Sequence, residues 1–167
     1  MKIRVLSNLS TNRMVNVKTR VTSEALGGNN ILDDIQRACA FADADPYRAA
    51  THNKGIMNGV VGVLLATCND YRAVEAGAHA YAAKDGQYKP LSTWKANDEG
   101  DLIGELNMPM AVGVVGGAIS AHPTAKHCVE IMGVKSATDL GELAASVGLA
   151  YNLAVLQMLV TDGILSV

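Results

Sequence analysis

The sequence predicts an α+β fold, helix-rich, with antiparallel strands and a central buried helix. Three observations lead there. Short alternating stretches at Met14–Val21, Tyr88–Lys95 and Leu102–Met108 are bounded by turn residues, as half-buried strands are. Apolar Ile31, Ile35, Ala38, Cys39 and Ala42 recur at helical spacing. The run from Tyr47 to Ala66 mixes small, polar and apolar residues and carries no charged stripe after Lys54, so burial on most sides is expected.

Taken in order, Ile3–Leu9 and Met14–Val21 both alternate, with Val15, Val17, Thr19 and Val21 on one face. Ser10-Thr11-Asn12-Arg13 supplies turn chemistry between them, which predicts an antiparallel hairpin over residues 1–22. Gly27-Gly28-Asn29-Asn30 breaks the chain before a helix from Ile31 to about Asp43. Asp45-Pro46 ends that helix, because a residue before proline avoids the helical region. In the helix from Tyr47 to Ala66, Gly55, Gly59 and Gly62 let other backbones approach. Asn69 or Asp70 is the expected N-cap of the next helix, which runs to about Lys84 and stops at Asp85-Gly86. Ala96–Asp101 is a polar turn between two strands, and Met110–Val115 is expected to continue as strand. Helices follow at Pro123–Met132, Ala137–Val147 and Gly148–Thr161, with Ser136 and Thr138 at cap positions. No repeat or linker divides the chain.

Composition narrows the function classes. The 167 residues are 49% hydrophobic and 18% charged, the profile of a folded protein with a core. A net charge of −2 supplies no basic field for nucleic acid or an anionic membrane, and a single Phe and Trp leave little for base stacking. Cys39, Cys68 and Cys128 show no C-x-x-C spacing, which argues for a reducing cytoplasm and against a disulfide framework or zinc site. The N-terminus carries charges where a signal peptide needs an apolar run. The apolar run Val60–Thr67 is too short to span a bilayer. A cytoplasmic protein without a metal is expected. High apolar content with few aromatics also predicts an apolar face covered by a partner.

The polar residues with chemical potential gather at Arg48, Thr51, His52, Asn53, Lys54 and Asn58. Lys54 and Asn58 are four apart and share a helix face. Two readings stand side by side. In one, Asp70 neutralises a buried Lys54, which stabilises an oxyanion on a carbonyl carbon. In the other, Lys54 snorkels from a helix and Asp70 only caps the next one. His52, His79, His122 and His127 show no metal-ligand spacing and read as surface or satisfied core histidines. Gly113-x-x-Gly116-Gly117 is incomplete as a phosphate loop and reads as turn chemistry, and Cys68 as a packing residue.

The runs ADPYRAATHNKGIMNG (Ala44–Gly59) and LATCNDYRAVEAGAHAYAA (Leu65–Ala83) closely resemble 3-hydroxy-3-methylglutaryl-CoA (HMG-CoA) reductase of the bacterial class II type. LSTW (Leu91–Trp94), VGVVGGA (Val112–Ala118) and VGLAYNLAVLQMLVTDGI (Val147–Ile164) follow in the family's order, so the resemblance covers nearly the whole chain. It implies residues 1–22 as the end of a cofactor-binding small domain and 23–167 as part of the large catalytic domain. It implies reduction of HMG-CoA to mevalonate, or the reverse, with NAD or NADP. By resemblance Lys54, Asp70 and Asn58 are catalytic, Arg48 and Thr51 contact the acyl carboxylate, and Asn8 lines the substrate cleft. The implied partners are HMG-CoA, mevalonate and CoA, and a second copy of the chain in a homo-oligomer.

The departures also carry expectations. The family's glutamate in an E-N-V-I-G stretch and its D-A-M-G nucleotide motif have no match. The chain reaches Gly163-Ile164-Leu165-Ser166-Val167 where the family has G-I-Q-x-G-H and its catalytic histidine. Tyr151 stands for a usual glutamine, Cys68 for glycine and Val61 for aspartate. The expectation is a chain that binds the thioester and does not reduce it unaided. The alternative is a non-catalytic CoA-ester-binding or dimerisation module of the same fold.

Overall fold

α3 (Pro46–Ala66) is the element around which the others are arranged. The structure, a computed structural model, describes residues 2–161. The Gly163–Val167 stretch lies outside the described residues. α3 starts where Asp45 accepts hydrogen bonds from the Tyr47 and Arg48 amides at 3.1 and 3.3 Å, with Pro46 in the first turn. Its end is a complete Schellman closure, the Asn69 amide bonding Leu64 O and the Cys68 amide bonding Leu65 O. Cys68 therefore adopts φ +50°, a conformation that favours glycine. That accounts for the glycine which the resembled family places there.

Two helices precede α3: α1 (Ser23–Leu26), a single turn that the sequence reading missed, and α2 (Asn29–Ala44). α4 (Tyr71–Ala82) follows it, with Asp70 as N-cap accepting from the Ala73 amide at 3.1 Å. α5 (Gly117–Ala121), also unexpected, and α6 (Pro123–Met132) lead to α7 (Ala137–Val160). α7 opens with a capping box in which Ser136 and Asp139 satisfy each other's amides.

The expected break at Val147 and Gly148 is absent, and α7 is one 24-residue helix. Gly148 is there for contact. A Cβ on it would lie 2.7 Å from Val60 Cγ2 and 3.1 Å from Ile56 O, while one on Gly59 would lie 2.7 Å from Val147 O. The two backbones meet because neither position carries a side chain. By length and hydropathy α7 resembles a membrane span. Its stripe of Leu140, Ala144, Ala145, Leu149 and Leu156 is nevertheless buried in the core, the arrangement of a core helix.

β1 (Met14–Val21), β2 (Ser92–Ala96) and β3 (Leu102–Pro109) form an antiparallel sheet in the order β1-β3-β2. The β2–β3 hairpin forms as the sequence reading expects, although residues 88–91 of the expected first strand are not strand, and its turn is held by Asn97 Oδ1 accepting from the Glu99 and Asp101 amides. The N-terminal hairpin does not form. β1 pairs along its length with β3, Val15 opposite Met108 and Val21 opposite Leu102. Residues 3–9 form no strand, with Ile3 72%, Val5 87% and Leu6 86% exposed. β3 offers β1 a buried face of Leu102, Leu106 and Met108, and residues 3–9 offer none. Met110–Val115 is likewise not strand, because side chains bind its backbone: Arg13 Nη2 donates to Val112 O at 2.8 Å and Asn69 brackets Gly113.

Gly59→Ala is expected to lower stability by about 1–3 kcal/mol, the usual result of overpacking a close contact, read by urea unfolding. Cys68→Gly is expected to raise it by about 1 kcal/mol by relieving the left-handed residue; an unchanged unfolding midpoint contradicts that.

Candidate functional site

With one side of α3 buried against α7, the opposite stripe is open. Lys54, Asn58, Gly62 and Leu65, spaced at helical intervals, line a groove with Met57 and Val61, and Glu75 and His79 of α4 close the other wall. The groove holds about 340 Å³. An ammonium, a carboxamide, a carboxylate and an imidazole thus converge on a cleft with an apolar floor. That set can hold an acyl group with a polar end.

A larger cavity of about 530 Å³ lies between α2 and the edge strand β2, lined by Gln36, Cys39, Trp94 and Lys95 among others. It contains none of the sequence-predicted residues. Burial pushes the Cys39 thiol up to about 12, so its thiolate is disfavoured. The smaller groove has the better claim on chemistry.

The structure gathers only some of the expected residues. Lys54 and Asn58 share the groove. Asp70 does not meet Lys54: its carboxylate caps α4, and no ion pair joins the two. The expected Lys54–Asp70 pair is corrected by geometry. Lys54 is in an early turn of α3 and Asp70 follows its far end, about 18 Å of helix rise away from Lys54 to Ala66. Lys54 is also exposed within the chain, so no burial penalty calls for a partner. Arg48 is half-buried and Thr51 exposed, the Thr51 hydroxyl donating to Tyr47 O at 3.4 Å; neither lines the groove. Asn8 is exposed on the N-terminal segment, and its carbonyl lies so close over Gly77 of α4 that a side chain there would collide.

Beneath the groove, α3 is anchored by Asn53 and His52, which the sequence reading named without the partners that hold them. Asn53, fully buried, accepts from the Leu91 amide at 2.8 Å and donates to Lys89 O at 2.9 Å. His52 Nε2 lies 2.7 Å from Ser92 Oγ. Ser92 and Trp94 Nε1 both donate to Asn152 Oδ1, at 2.9 and 2.8 Å. With its own proton committed to Asn152, Ser92 Oγ accepts, so the His52 proton is on Nε2. His52 Nδ1 is buried without a partner. Burial, and after it the charge of Arg48, lowers the pKa of His52 to about 4.

Asn69 adds a second anchor beside Asp70. Its Oδ1 accepts from the Gly113 amide at 2.9 Å, and its Nδ2 donates to Gly113 O at 3.1 Å and to Thr67 Oγ1 at 3.0 Å. The Gly113–Gly117 turn is thereby tied to the start of α4. The sequence offered Asn69 only as an alternative cap; its partner is 44 residues away. Glu75 and His79 had a signal, an i,i+4 pair of ionisable residues in an otherwise alanine-rich helix. Among the described residues no group of three or more His, Cys, Asp or Glu could hold a metal.

A family model described as hydroxymethylglutaryl-coenzyme A reductase matches residues 1–166. The 3-hydroxy-3-methylglutaryl-coenzyme A reductase of Archaeoglobus fulgidus is 49% identical over 162 residues, 97% of this chain and 37% of that protein. A probable reductase of the same name from Borreliella burgdorferi is 42% identical over 135 residues, 81% of this chain and 31% of that one. A structure of the Streptococcus pneumoniae reductase superposes with TM-score 0.92 at 44% identity, covering 96% of this chain and 39% of its own. Another, described as the class II enzyme bound to NADPH in open conformations, gives 0.90 at 44% identity, with 95% and 40% covered. The chain thus spans about a third of the length of the curated relatives it matches.

His52 is neutral when folded and free to protonate when unfolded, so its contribution is whole above pH 6.5 and lost as pH falls towards 4. The loss is expected to be on the order of 3 kcal/mol, and His52→Gln should flatten urea unfolding between pH 7 and 5. Asn69→Ala is expected to destabilise by about 1–3 kcal/mol and to speed amide exchange at Gly113.

Proposed function

The chain belongs to the hydroxymethylglutaryl-coenzyme A reductase family, and from that we propose that it supplies the acyl-binding part of a centre reducing HMG-CoA to mevalonate, or running the reverse. The observation that carries this is the groove in which Lys54 and Asn58 face Glu75 and His79. A thioester carbonyl becomes more negative as hydride reaches its carbon, and an ammonium placed at that oxygen stabilises the change. Lys54 is proposed for that role. Asn58 is proposed to fix the same oxygen or its neighbour by hydrogen bonding. Arg48 and Thr51 are proposed as contacts to the acyl carboxylate, and Asn8 to the cleft margin.

Asp70 enters the same proposal through a second copy of the chain. A two-fold contact that brings the lysine of one copy to the aspartate of another is proposed to complete the pair that one chain does not form. Val147 and Tyr151 of α7, which are 39% and 45% exposed, supply apolar surface for such a contact. A homo-oligomer is proposed on these grounds; the cytoplasmic setting is proposed from composition, and the division near residue 22 into cofactor-binding and catalytic parts from the family resemblance.

The reductant proposed is NAD(P)H, which supplies hydride. Gly113, Gly116 and Gly117 face open space, and α5 after them has only five residues. The nicotinamide is assigned no contact among the described residues. What they do in this reading is bind and orient the acyl group and stabilise charge on its oxygen.

Titrating HMG-CoA calorimetrically into the purified chain is expected to show binding that Lys54→Ala weakens by at least about tenfold, the worth of one charge-assisted contact. Binding unaffected by Lys54→Ala removes the lysine from the site. Sedimentation is expected to give a dimer or larger; a monomer at all concentrations contradicts the two-copy arrangement.

A further inference from the structure

His79 faces the groove from α4 and is held from behind. Its Nδ1 lies 2.7 Å from the Tyr88 hydroxyl, and the two rings stack with centroids 6.1 Å apart and planes 27° from parallel. Tyr88 precedes the backbone stretch that Asn53 clamps from α3 through Lys89 O and the Leu91 amide. The phenol is thus anchored to the helix that carries Lys54. We propose that His79 is a ligand-contacting residue of the groove, oriented by Tyr88 so that its Nε2–H, beside the Lys54 ammonium, donates to an oxygen of the bound acyl group. This rests on the reading of the groove given above.

The chemistry follows from the two partners. In this proposal the Tyr88 hydroxyl, 2.7 Å away, donates to Nδ1. A neutral imidazole that accepts at Nδ1 carries its own proton on Nε2. Lys54 brings a charge whose position flexes with its stem; His79 brings a planar donor whose direction the phenol sets. Glu75, one turn before His79 on α4, makes the other end of the wall negative. In this proposal an acyl oxygen takes the Lys54 and His79 donors and is kept from Glu75. The ligand class that fits is an acyl thioester or its aldehyde-level product, with an oxygen needing two donors. Tyr88 is a positioning residue in this arrangement.

A histidine kept only for stacking on Tyr88 would be replaceable by any flat ring, and that separates the alternatives. HMG-CoA is titrated into the parent chain, His79→Phe, His79→Gln and the Lys54→Ala control, with thermal midpoints recorded beside each. His79→Phe keeps the ring and is expected to weaken binding by at least about tenfold, while His79→Gln keeps a donor and stays within about threefold of the parent. In the ligand-free parent, nitrogen-15 NMR is expected to show the Nε2–H tautomer, and Tyr88→Phe to shift it towards a mixture. Equal binding by parent and His79→Phe, with Lys54→Ala still defective, overturns this proposal and leaves the groove reading standing. No binding by the parent overturns both. Should His79→Phe fail to fold, the tautomer decides, since an Nδ1–H form in the parent is incompatible with the proposal.

Discussion

The contact between α3 and α7 at Gly59 and Gly148 is the constraint on which the rest of the structure depends. Two missing side chains let Val147 O and Ile56 O come within about 3 Å of where a Cβ would stand. Helices that close bury the whole inner face of α3, from Ala49 through Ile56 and Val60 to Leu64. With that face committed, the outward stripe is fixed as well, and Lys54, Asn58, Gly62 and Leu65 become one wall of a groove. A side chain at either glycine would separate the helices and turn the stripe, moving the lysine without touching it.

Packing sets the direction of α3, and buried polar groups set its register. Asn53 and His52 reach past α3 to Leu91 and Ser92, at the start of the β2–β3 hairpin, and Asn152 of α7 closes the network from the far side. A buried amide or imidazole tolerates few geometries, because each unpaired group costs about 1–3 kcal/mol. Sliding α3 by one residue would forfeit several of these bonds together. Asp45, which ends α2 and caps α3, leaves no slack at the N-terminus, and the Schellman closure around Cys68 leaves little at the other end. The Lys54–Asn58 face is thus held from within the core, as the proposed acyl-binding role requires.

Much of this was legible in the sequence where the signal is local. Asp45-Pro46 marked the boundary between two helices, and the lack of charge after Lys54 marked α3 as buried. Ser136 marked the start of α7. The failures were non-local. Residues 3–9 and β3 both alternate as a partner for β1 should, and only the buried face of β3 decides between them. Gly148 read as a breaker, when its role is to admit another helix. Lys54 and Asp70 looked like a pair because sequence distance carries no direction, and the helix between them points them apart. Glu75 and His79 needed the crossing of α4 over α3 before they could be joined to Lys54. Spacing did not settle whether Lys54 is catalytic or an ordinary surface lysine, and resemblance to a reductase is what favours the proposed role.

The central claim is that the α3–α4 groove, and not the larger α2–β2 cavity, takes the acyl thioester. Mapping backbone amide shifts by NMR while HMG-CoA is added tests it most directly. The account predicts shifts concentrated at Lys54–Leu65 and Glu75–His79, with Gln36–Ala40 and Thr93–Lys95 unmoved. Shifts centred on Cys39 and Trp94 instead, with Lys54 and His79 silent, would contradict it.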